Sequence, residues 1–290
     1  MIKAEDLLHN SSQAVSPLTQ QILRFCQILD DTGAWTWKYR DIAITTVGTL
    51  FVVRSICHKK GGIDWYALLH ALVSGLGSLA CIYLDWESAT ITGTPEPLRS
   101  MQCQGPMTSL HRILPAITLG YSVFDLADGF NLSFDFVLHG GATGLVMLYF
   151  CYYDAPHLLG ATLTVEVSTI FLTMVRAEIF PDAVSIANMG MFVITFFLFR
   201  ILLFPCLWFL LVTSMWAEKN NEAYSTCFPP SMIWFSFTIG LVFHVLNFYW
   251  FYKILKKVER KMSGKEGTRA GNDLKEVEHT PNGEHDKKKA

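Results

Sequence analysis

Residues 134–150, FDFVLHGGATGLVMLYF, form an apolar run that is long enough to cross most of a bilayer as a helix. The run carries an aspartate, Asp135, and a histidine, His139, in its first half. An aspartate at the centre of a membrane helix costs roughly 2.5–3.5 kcal/mol on insertion scales. The stretch therefore predicts a membrane-spanning helix whose polar residues face the inside of a bundle rather than lipid.

The whole chain has the composition of a membrane protein. Hydrophobic residues make up 51% of the 290 residues, and the mean hydropathy of +0.31 exceeds what a soluble domain of this length requires. The chain contains about seven apolar runs that could each span a bilayer. The first, at 41–56, is short and is interrupted by Arg54, so six spans is the alternative count. We predict an all-α membrane protein, a bundle of transmembrane helices around a polar cavity. The apolar runs lie at 41–56, 63–84, 113–130, 134–153, 158–175, 184–215 and 232–255.

The sequence divides into three parts. We expect a lumenal N-terminal segment at 1–40, a multi-span membrane domain at 41–257 and a disordered charged tail at 258–290. Lysines and arginines cluster beside the last span, which predicts a cytosolic tail under the positive-inside rule. Seven spans then place the N-terminal segment in the lumen, although Lys38 and Arg40 favour the opposite orientation.

Short motifs near both ends of the chain give expectations about the compartment. Lys287 and Lys288, the fourth and third residues from the end, resemble the cytosolic dilysine signal that returns proteins to the endoplasmic reticulum. The alternative is that the tail end is merely basic. Asn10 in NSS would be lumenal and open to glycosylation, whereas Asn131 in NLS would lie in a short cytosolic turn.

Other features bear on partners and on metals. The net charge is −2, no Gly-rich phosphate loop is present, and the basic residues lie in a tail without aromatic residues, which argues against nucleic acid as a partner. The sequence has no CxxC or HExxH spacing, so we expect no metal site. Of the seven cysteines, Cys103 and Cys227 fall in the two longer lumenal loops and could form a disulfide there.

Nearly every strong span contains a polar residue. Because each one is unfavourable in lipid, several in one bundle predict a shared polar interior. Asp135, His139 and Thr143 recur four residues apart on one helix face, and Tyr121 lies one turn from Asp125. The predicted lining of a lipid cavity comprises His70, Tyr121, Thr143, Glu166, Thr169, Arg200, His244 and Asn247.

His139 is the candidate catalytic residue. A histidine beside a carboxylate is suited to general acid–base chemistry, because the carboxylate orients the ring and stabilises the imidazolium. Asp135, one turn away, and Asp125, on the preceding span, are the candidate carboxylates.

Structural roles are the alternative for several of these residues. Gly140 and Gly144 form a GxxxG pattern, which allows two helices to approach closely, so the fourth span could be a packing helix. Glu166 and Arg200 could form a buried structural ion pair. Pro205 predicts a kink after Arg200.

Several short motifs follow one another along the membrane domain. After His70 they read GYSVFD (120–125), DFVLHGGAT (135–143), VEVSTIFL (165–172), FFLFRILLFP (196–205) and HVLNFYWF (244–251). From about Arg54 to Lys257 this order resembles the TLC family, named for its TRAM, Lag1 and CLN8 members. The EVST and FRILLFP segments are similar to the TLC domain-containing proteins rather than to the ceramide synthases or TRAM. The resemblance implies a bundle of six or so transmembrane helices enclosing a lipid cavity, usually in the endoplasmic reticulum.

The resemblance also bears on catalysis. Ceramide synthases of this family join an acyl-CoA to a long-chain base through a paired histidine motif, HHxxT. Here the segment is HGGAT, so His139 and Thr143 match the first histidine and the threonine, while Gly140 replaces the second histidine. The acidic run that follows the motif in the synthases is absent too. A mechanism that needs two adjacent imidazoles does not carry over intact.

Two functional hypotheses follow. The first is a non-enzymatic protein of the endoplasmic reticulum that binds, moves or senses phospholipid or sphingolipid and adjusts membrane lipid composition. The second is a sphingoid base N-acyltransferase with acyl-CoA as co-substrate and no other cofactor. In that enzyme His139 would be the base, Asp135 or Asp125 would orient it, and Arg200 or Lys253 would lie near the coenzyme A phosphates. A purely structural or partner-binding membrane protein is the third interpretation, and a homo-oligomer remains an open expectation.

Overall fold

The described backbone is almost entirely helical. The computed structural model describes residues 16–31, 38–57, 63–92, 99–103, 108–177, 180–221 and 226–262. The bilayer interior offers no hydrogen-bond partners, so these apolar segments are stable there only as helices that pair their own backbone groups. The helices are α1 Pro17–Asp31, α2 Tyr39–Cys57, α3 Trp65–Thr92, α4 Ser109–Leu132, α5 Phe134–Tyr152, α6 Glu166–Ala177, α7 Asp182–Phe196, α8 Phe204–Lys219 and α9 Ser231–Met262. A 3-10 turn spans Arg99–Met101, a 3-10 segment spans Pro156–Val165, and a π-helix spans Phe197–Leu203.

Six segments of the described chain are long and apolar enough to cross a bilayer, which confirms the all-α membrane fold. The alternative count of six agrees with this criterion. The predicted first span does form a helix, α2, but two arginines, an aspartate and three threonines lower its hydropathy. The six segments are Trp65–Glu87, Ser109–Leu132, Phe134–Tyr152, Pro156–Ala177, Asp182–Lys219 and Ser231–Arg260.

The long apolar run predicted at 184–215 is one helical segment, Asp182–Lys219, of 38 residues. At about 1.5 Å per residue it is roughly 57 Å long, whereas the hydrocarbon core is about 30 Å thick, so it must tilt or project into the headgroups. Its middle widens into a π-helix immediately before Pro205. Proline has no N–H to donate and its ring clashes with the carbonyl four residues earlier, so the preceding turns open. The irregularity predicted at Pro205 therefore takes the form of a π-helix.

Two loop regions are joined covalently at one end of the bundle. Cys103, which follows α3, and Cys227, which precedes α9, form a disulfide with their Cα atoms 5.4 Å apart. The Glu218 carboxylate accepts a hydrogen bond of 2.9 Å from the backbone N–H of Cys103, which fixes α8 to the same loop. We call this end the disulfide face, and the opposite end, where α9 terminates, the tail face. Consecutive spans alternate in direction, so α3 runs toward the disulfide face and α4 returns from it.

The largest apolar core lies mainly in the half of the bundle nearer the disulfide face. The 3-10 segment lies inside it, with every residue from Pro156 to Thr164 buried. Other fully buried side chains of this core include Leu114, Phe150, Leu211, Met215 and Met232. Many large apolar side chains elsewhere are exposed, and in a membrane these side chains contact lipid tails.

Removing the disulfide should lower stability, because a cross-link restricts the unfolded chain and typically contributes about 2–4 kcal/mol. We expect the double variant Cys103→Ser, Cys227→Ser to melt at a lower temperature than the wild type in a mild detergent. Cys206→Ser, which removes an exposed free cysteine, is the matched control and should leave melting unchanged. Identical melting of the double variant and the wild type, with and without reductant, would contradict a stabilising role.

Candidate functional site

Polar side chains from several segments meet inside the bundle, away from both ends. α3, α4, α5, α6 and the π-helix all contribute. Pairwise electrostatic interactions link Glu166 to His70, His139 and Arg200, and link Asp125 to Glu166 and Arg200. We call this group the central polar cluster, and it comprises His70, Tyr121, Asp125, His139, Glu166 and Arg200.

Arg200 is the cation of the cluster and is only 7% exposed. Its Nε donates to the Ser168 hydroxyl at 2.8 Å and to the Val165 carbonyl at 3.2 Å. Its Nη2 donates to the Thr169 hydroxyl at 3.0 Å and lies 3.9 Å from a Glu166 carboxylate oxygen. The predicted contact between Glu166 and Arg200 is therefore present, but at a longer distance than the bonds that Arg200 makes to its other partners.

His70 enters the cluster from α3. Its ring stacks on that of Tyr121, with 3.8 Å between centroids and 4° between the ring planes. Its Nε2 lies 3.2 Å from the Thr118 hydroxyl, whereas its Nδ1 is buried and has no hydrogen-bond partner among the described residues. Gly75 permits this position, because a Cβ there would lie 2.9 Å from the backbone nitrogen of Val167, so α3 and α6 are in backbone contact.

His139 enters from α5 and faces Asp125. The closest atoms of the pair, His139 Nε2 and Asp125 Oδ2, are 3.8 Å apart, which is too far for a hydrogen bond. The Nδ1 of His139 is buried and has no partner within the described chain. Its ring makes a T-shaped contact with that of Trp250 of α9, with 5.1 Å between centroids. Of the two candidate carboxylates, Asp125 is therefore the one that lies beside His139.

Asp135 is engaged elsewhere, near the tail face. It accepts hydrogen bonds from Ser133 and from the indole N–H of Trp250, the latter at 2.6 Å, and it lies 3.5 Å from Lys253 Nζ. The sequence correctly places Asp135 one turn from His139, but spacing along one helix could not reveal that α9 would supply its partners.

The remaining predicted residues do not share one environment. Thr169 contacts the cluster through its bond from Arg200. Thr143 is half-buried one turn beyond His139. The Nδ1 of His244 lies against the Gly240 carbonyl of its own helix, and Asn247 is buried in α9.

Gly140 cannot carry a side chain in this packing. A Cβ at Gly140 would lie 2.7 Å from the backbone nitrogen of Leu126 and 2.9 Å from the carbonyl carbon of Asp125. Gly144 likewise faces α4, where a Cβ would lie 2.9 Å from the Ser122 hydroxyl. This geometry favours the packing interpretation of the GxxxG pattern. The position where a second histidine would stand faces the backbone of α4 rather than the cluster.

A second polar cluster lies near the disulfide face. The Asp85 carboxylate accepts a hydrogen bond from Ser100 and lies 3.7 Å from His111 Nε2. The other ring nitrogen of His111 lies 2.9 Å from the Thr108 hydroxyl. His157 is 2% exposed, and within the described residues neither of its ring nitrogens meets the geometry of a hydrogen bond.

The sequence does not reveal this second cluster. Asp85 and His111 belong to different helices, and no periodicity links them. The only local signal is the spacing of three residues between Thr108 and His111. Among the residues that the structure describes, neither this cluster nor the central one groups three His, Cys, Asp or Glu side chains in a geometry that could hold a metal.

The comparison with known families agrees with this architecture. The sequence model of the TLC domain matches residues 61–256. The chain belongs to the TLC domain family. No curated protein and no solved structure matches the chain. The TLC domain begins before α3 and ends within α9, so it contains the central polar cluster, while α1 and α2 lie outside it.

A histidine at position 140, where the HHxxT motif of the ceramide synthases has its second histidine, should destabilise the bundle rather than create a catalytic pair. Overpacking costs about 1–3 kcal/mol or more, so we expect Gly140→His to melt well below the wild type and Gly140→Ala to melt somewhat below it. Gly141→Ala is the control, because its Cβ would lie 3.8 Å from the nearest side chain. Thermal melting of the solubilised variants is the measurement. A Gly140→His protein as stable as the wild type would contradict the close contact between α4 and α5.

Proposed function

We propose that the protein is a lipid-handling protein of the endoplasmic reticulum membrane that binds a lipid headgroup at the central polar cluster and so adjusts membrane lipid composition. Membership of the TLC domain family and the multi-span fold support a lipid-related role. Phospholipids and sphingolipids are the candidate classes of lipid.

The observation that carries the proposal is the pair of buried, unpartnered ring nitrogens, Nδ1 of His70 and Nδ1 of His139. A buried polar atom without a partner costs about 1–3 kcal/mol. Such an atom is explained most directly by a water molecule or a ligand that supplies the missing hydrogen bond. A lipid headgroup that enters the bundle could supply such a hydrogen bond, while its acyl chains stay among apolar side chains.

The charges of the cluster favour hydrogen-bond donors on that headgroup. Asp125 and Glu166 are carboxylates, and the guanidinium of Arg200 is already engaged by Ser168, Thr169 and the Val165 carbonyl. A phosphate placed here would meet two like charges, and the Arg200 cation already lies beside one of them, Glu166. Hydroxyl, amine or amide groups would instead donate to Asp125 and to the histidines.

The disulfide supports the proposed orientation. Disulfides form and persist in the lumen of the secretory pathway rather than in the cytosol. A lumenal disulfide face places the tail face, and with it the C-terminus, in the cytosol. Lys287 and Lys288, which lie outside the described residues, would then be accessible there as a dilysine signal for return to the endoplasmic reticulum.

Lipid co-purification tests the proposal. The protein is purified in a mild detergent, and its bound lipids are compared with bulk membrane by mass spectrometry. We expect enrichment of one lipid class, reduced about tenfold or more in His139→Ala and in Asp125→Asn, since loss of one hydrogen bond worth about 1.4 kcal/mol is a tenfold effect. Thr213→Val is the control, because the Thr213 hydroxyl bonds only the backbone of its own helix within the described structure. No enriched class in the folded wild type would refute the proposal.

The second candidate is a sphingoid base N-acyltransferase, which the position of Asp125 beside His139 supports. In this mechanism His139 removes a proton from the amine as the amine nitrogen attacks the thioester carbonyl of acyl-CoA, and Asp125 stabilises the imidazolium. The C–S bond then breaks, the imidazolium gives the proton to the departing sulfur, and coenzyme A leaves as the thiol. The enzyme would form amide from acyl-CoA and a long-chain base in membranes of cells that lack other ceramide synthases. We expect that activity to disappear in His139→Ala. Turnover unchanged by that substitution would rule out His139 as the base.

A further inference from the structure

The two ends of α2 make contacts at opposite faces of the bundle. At its start, the Tyr39 hydroxyl donates to Asp154 at 2.5 Å and accepts from Arg112 Nη2 at 2.6 Å. Asp154 follows α5, and Arg112 lies in the first turn of α4, so this end of α2 is at the disulfide face. Near its other end, Arg54 donates to Asp128 at 2.8 Å, in the last part of α4, close to the tail face.

These contacts show that α2 runs parallel to α4 over most of the length of α4. The separation from Tyr39 to Arg54 is 15 residues and that from Arg112 to Asp128 is 16, so at about 1.5 Å per residue the two segments have matching lengths of roughly 22–24 Å. The whole of α2, 19 residues, is roughly 28 Å long, close to the thickness of the hydrocarbon core.

The packing of α2 is that of an integral helix. A Cβ at Gly120 of α4 would lie 2.6 Å from the Ala43 carbonyl oxygen, so the two backbones touch midway along the bundle. Ile42 and Leu50 are buried on that side. Ile44, Phe51, Val52 and Ile56 are exposed and form the outward side that lipid would cover.

Several polar residues of α2, Arg54 among them, are paired. Arg54 is bonded to Asp128 and lies over the ring of Tyr66, 5.2 Å from its centroid. The hydroxyls of Thr46 and Ser55 donate to backbone carbonyls of α2 itself. Hydropathy treats these groups as if they were unpaired, whereas pairing reduces the free energy needed to bury them.

α1 locates the chain that precedes α2. The backbone N–H of Ser16 donates to Glu87 at 3.1 Å, and its hydroxyl lies 2.8 Å from the Tyr83 hydroxyl. Tyr83 and Glu87 belong to the part of α3 that approaches the disulfide face. Leu23 and Cys26 of α1 pack into the large core there. The chain before α2 is therefore attached to the disulfide face.

We infer that α2 is a seventh membrane crossing and that Asn10, in the sequon NSS, is an acceptor for N-linked glycan, whereas Asn131, in the sequon NLS, is not. Asn10 lies outside the described residues, six positions before Ser16. Asn131 is exposed in the last turn of α4, at the tail face. The inference rests on the lumenal disulfide face proposed above, because N-linked glycan is added to N-x-S/T sequons of lumenal segments.

Glycan mapping of the full chain in microsomes tests this inference. Removal of N-glycans by an endoglycosidase should increase mobility by one glycan in the wild type and in Asn131→Gln, and should have no effect on Asn10→Gln. Ala223→Thr creates the sequon NET at Asn221, beside Cys227, and serves as a positive control for the disulfide face. That variant should carry two glycans. An N-terminal epitope tag should resist protease added outside the sealed microsomes.

The outcomes distinguish the orientation of the bundle, the crossing by α2 and the glycan acceptor from one another. Glycan on Asn131 would mean that the orientation is inverted and would overturn the inference. Glycan on Asn221 together with a digested N-terminal tag would show that α2 does not cross. Glycan on Asn221 with none on Asn10 would overturn Asn10 as the acceptor. The expected glycan pattern in a protein that enriches no lipid would refute the lipid-handling function alone and leave the topology intact.

Discussion

Arg200 places a guanidinium inside a membrane bundle, and much of the surrounding structure satisfies it. A cation there is tolerated only with several partners. The turn from Val165 to Thr169 supplies them, at the point where the 3-10 segment changes to α6. Gly75 holds α3 against the same turn. Both α3 and the π-helix that carries Arg200 therefore pack against this one turn.

The two imidazoles of the central polar cluster come from different helices. His70 on α3 and His139 on α5 both interact electrostatically with Glu166, and the ring of Tyr121 stacks on His70. The fold thus brings two histidines toward one carboxylate without making them neighbours in sequence. α5 cannot provide both, because the residue after His139 is the one that contacts the backbone of α4.

The sequence predicts the membrane class, the spans and all six members of the central polar cluster, since apolar runs and polar residues within them are local features. It does not predict the partners. Asp135 and Asp125 are equally plausible beside His139 from spacing, and only the rotation of α4 and α9 decides between them. The contact of Asp85 with His111 crosses 26 residues and leaves no periodic signal. α2 is too polar to be recognised as a span by its composition, and its pairing with Asp128 is a tertiary contact that the sequence does not reveal.

The disulfide also makes the two ends of the bundle mechanically unequal. The Cys103–Cys227 bond ties the loop after α3 to the loop between α8 and α9, so these helices cannot separate far at that end. At the opposite end, α9 meets α5 through the side chains of Asp135, Trp250 and Lys253, which are noncovalent contacts. The disulfide face is therefore the constrained end of the bundle. Separation of α9 from α5 would be largest at the tail face, and it would uncover His139, whose ring packs against Trp250 of α9.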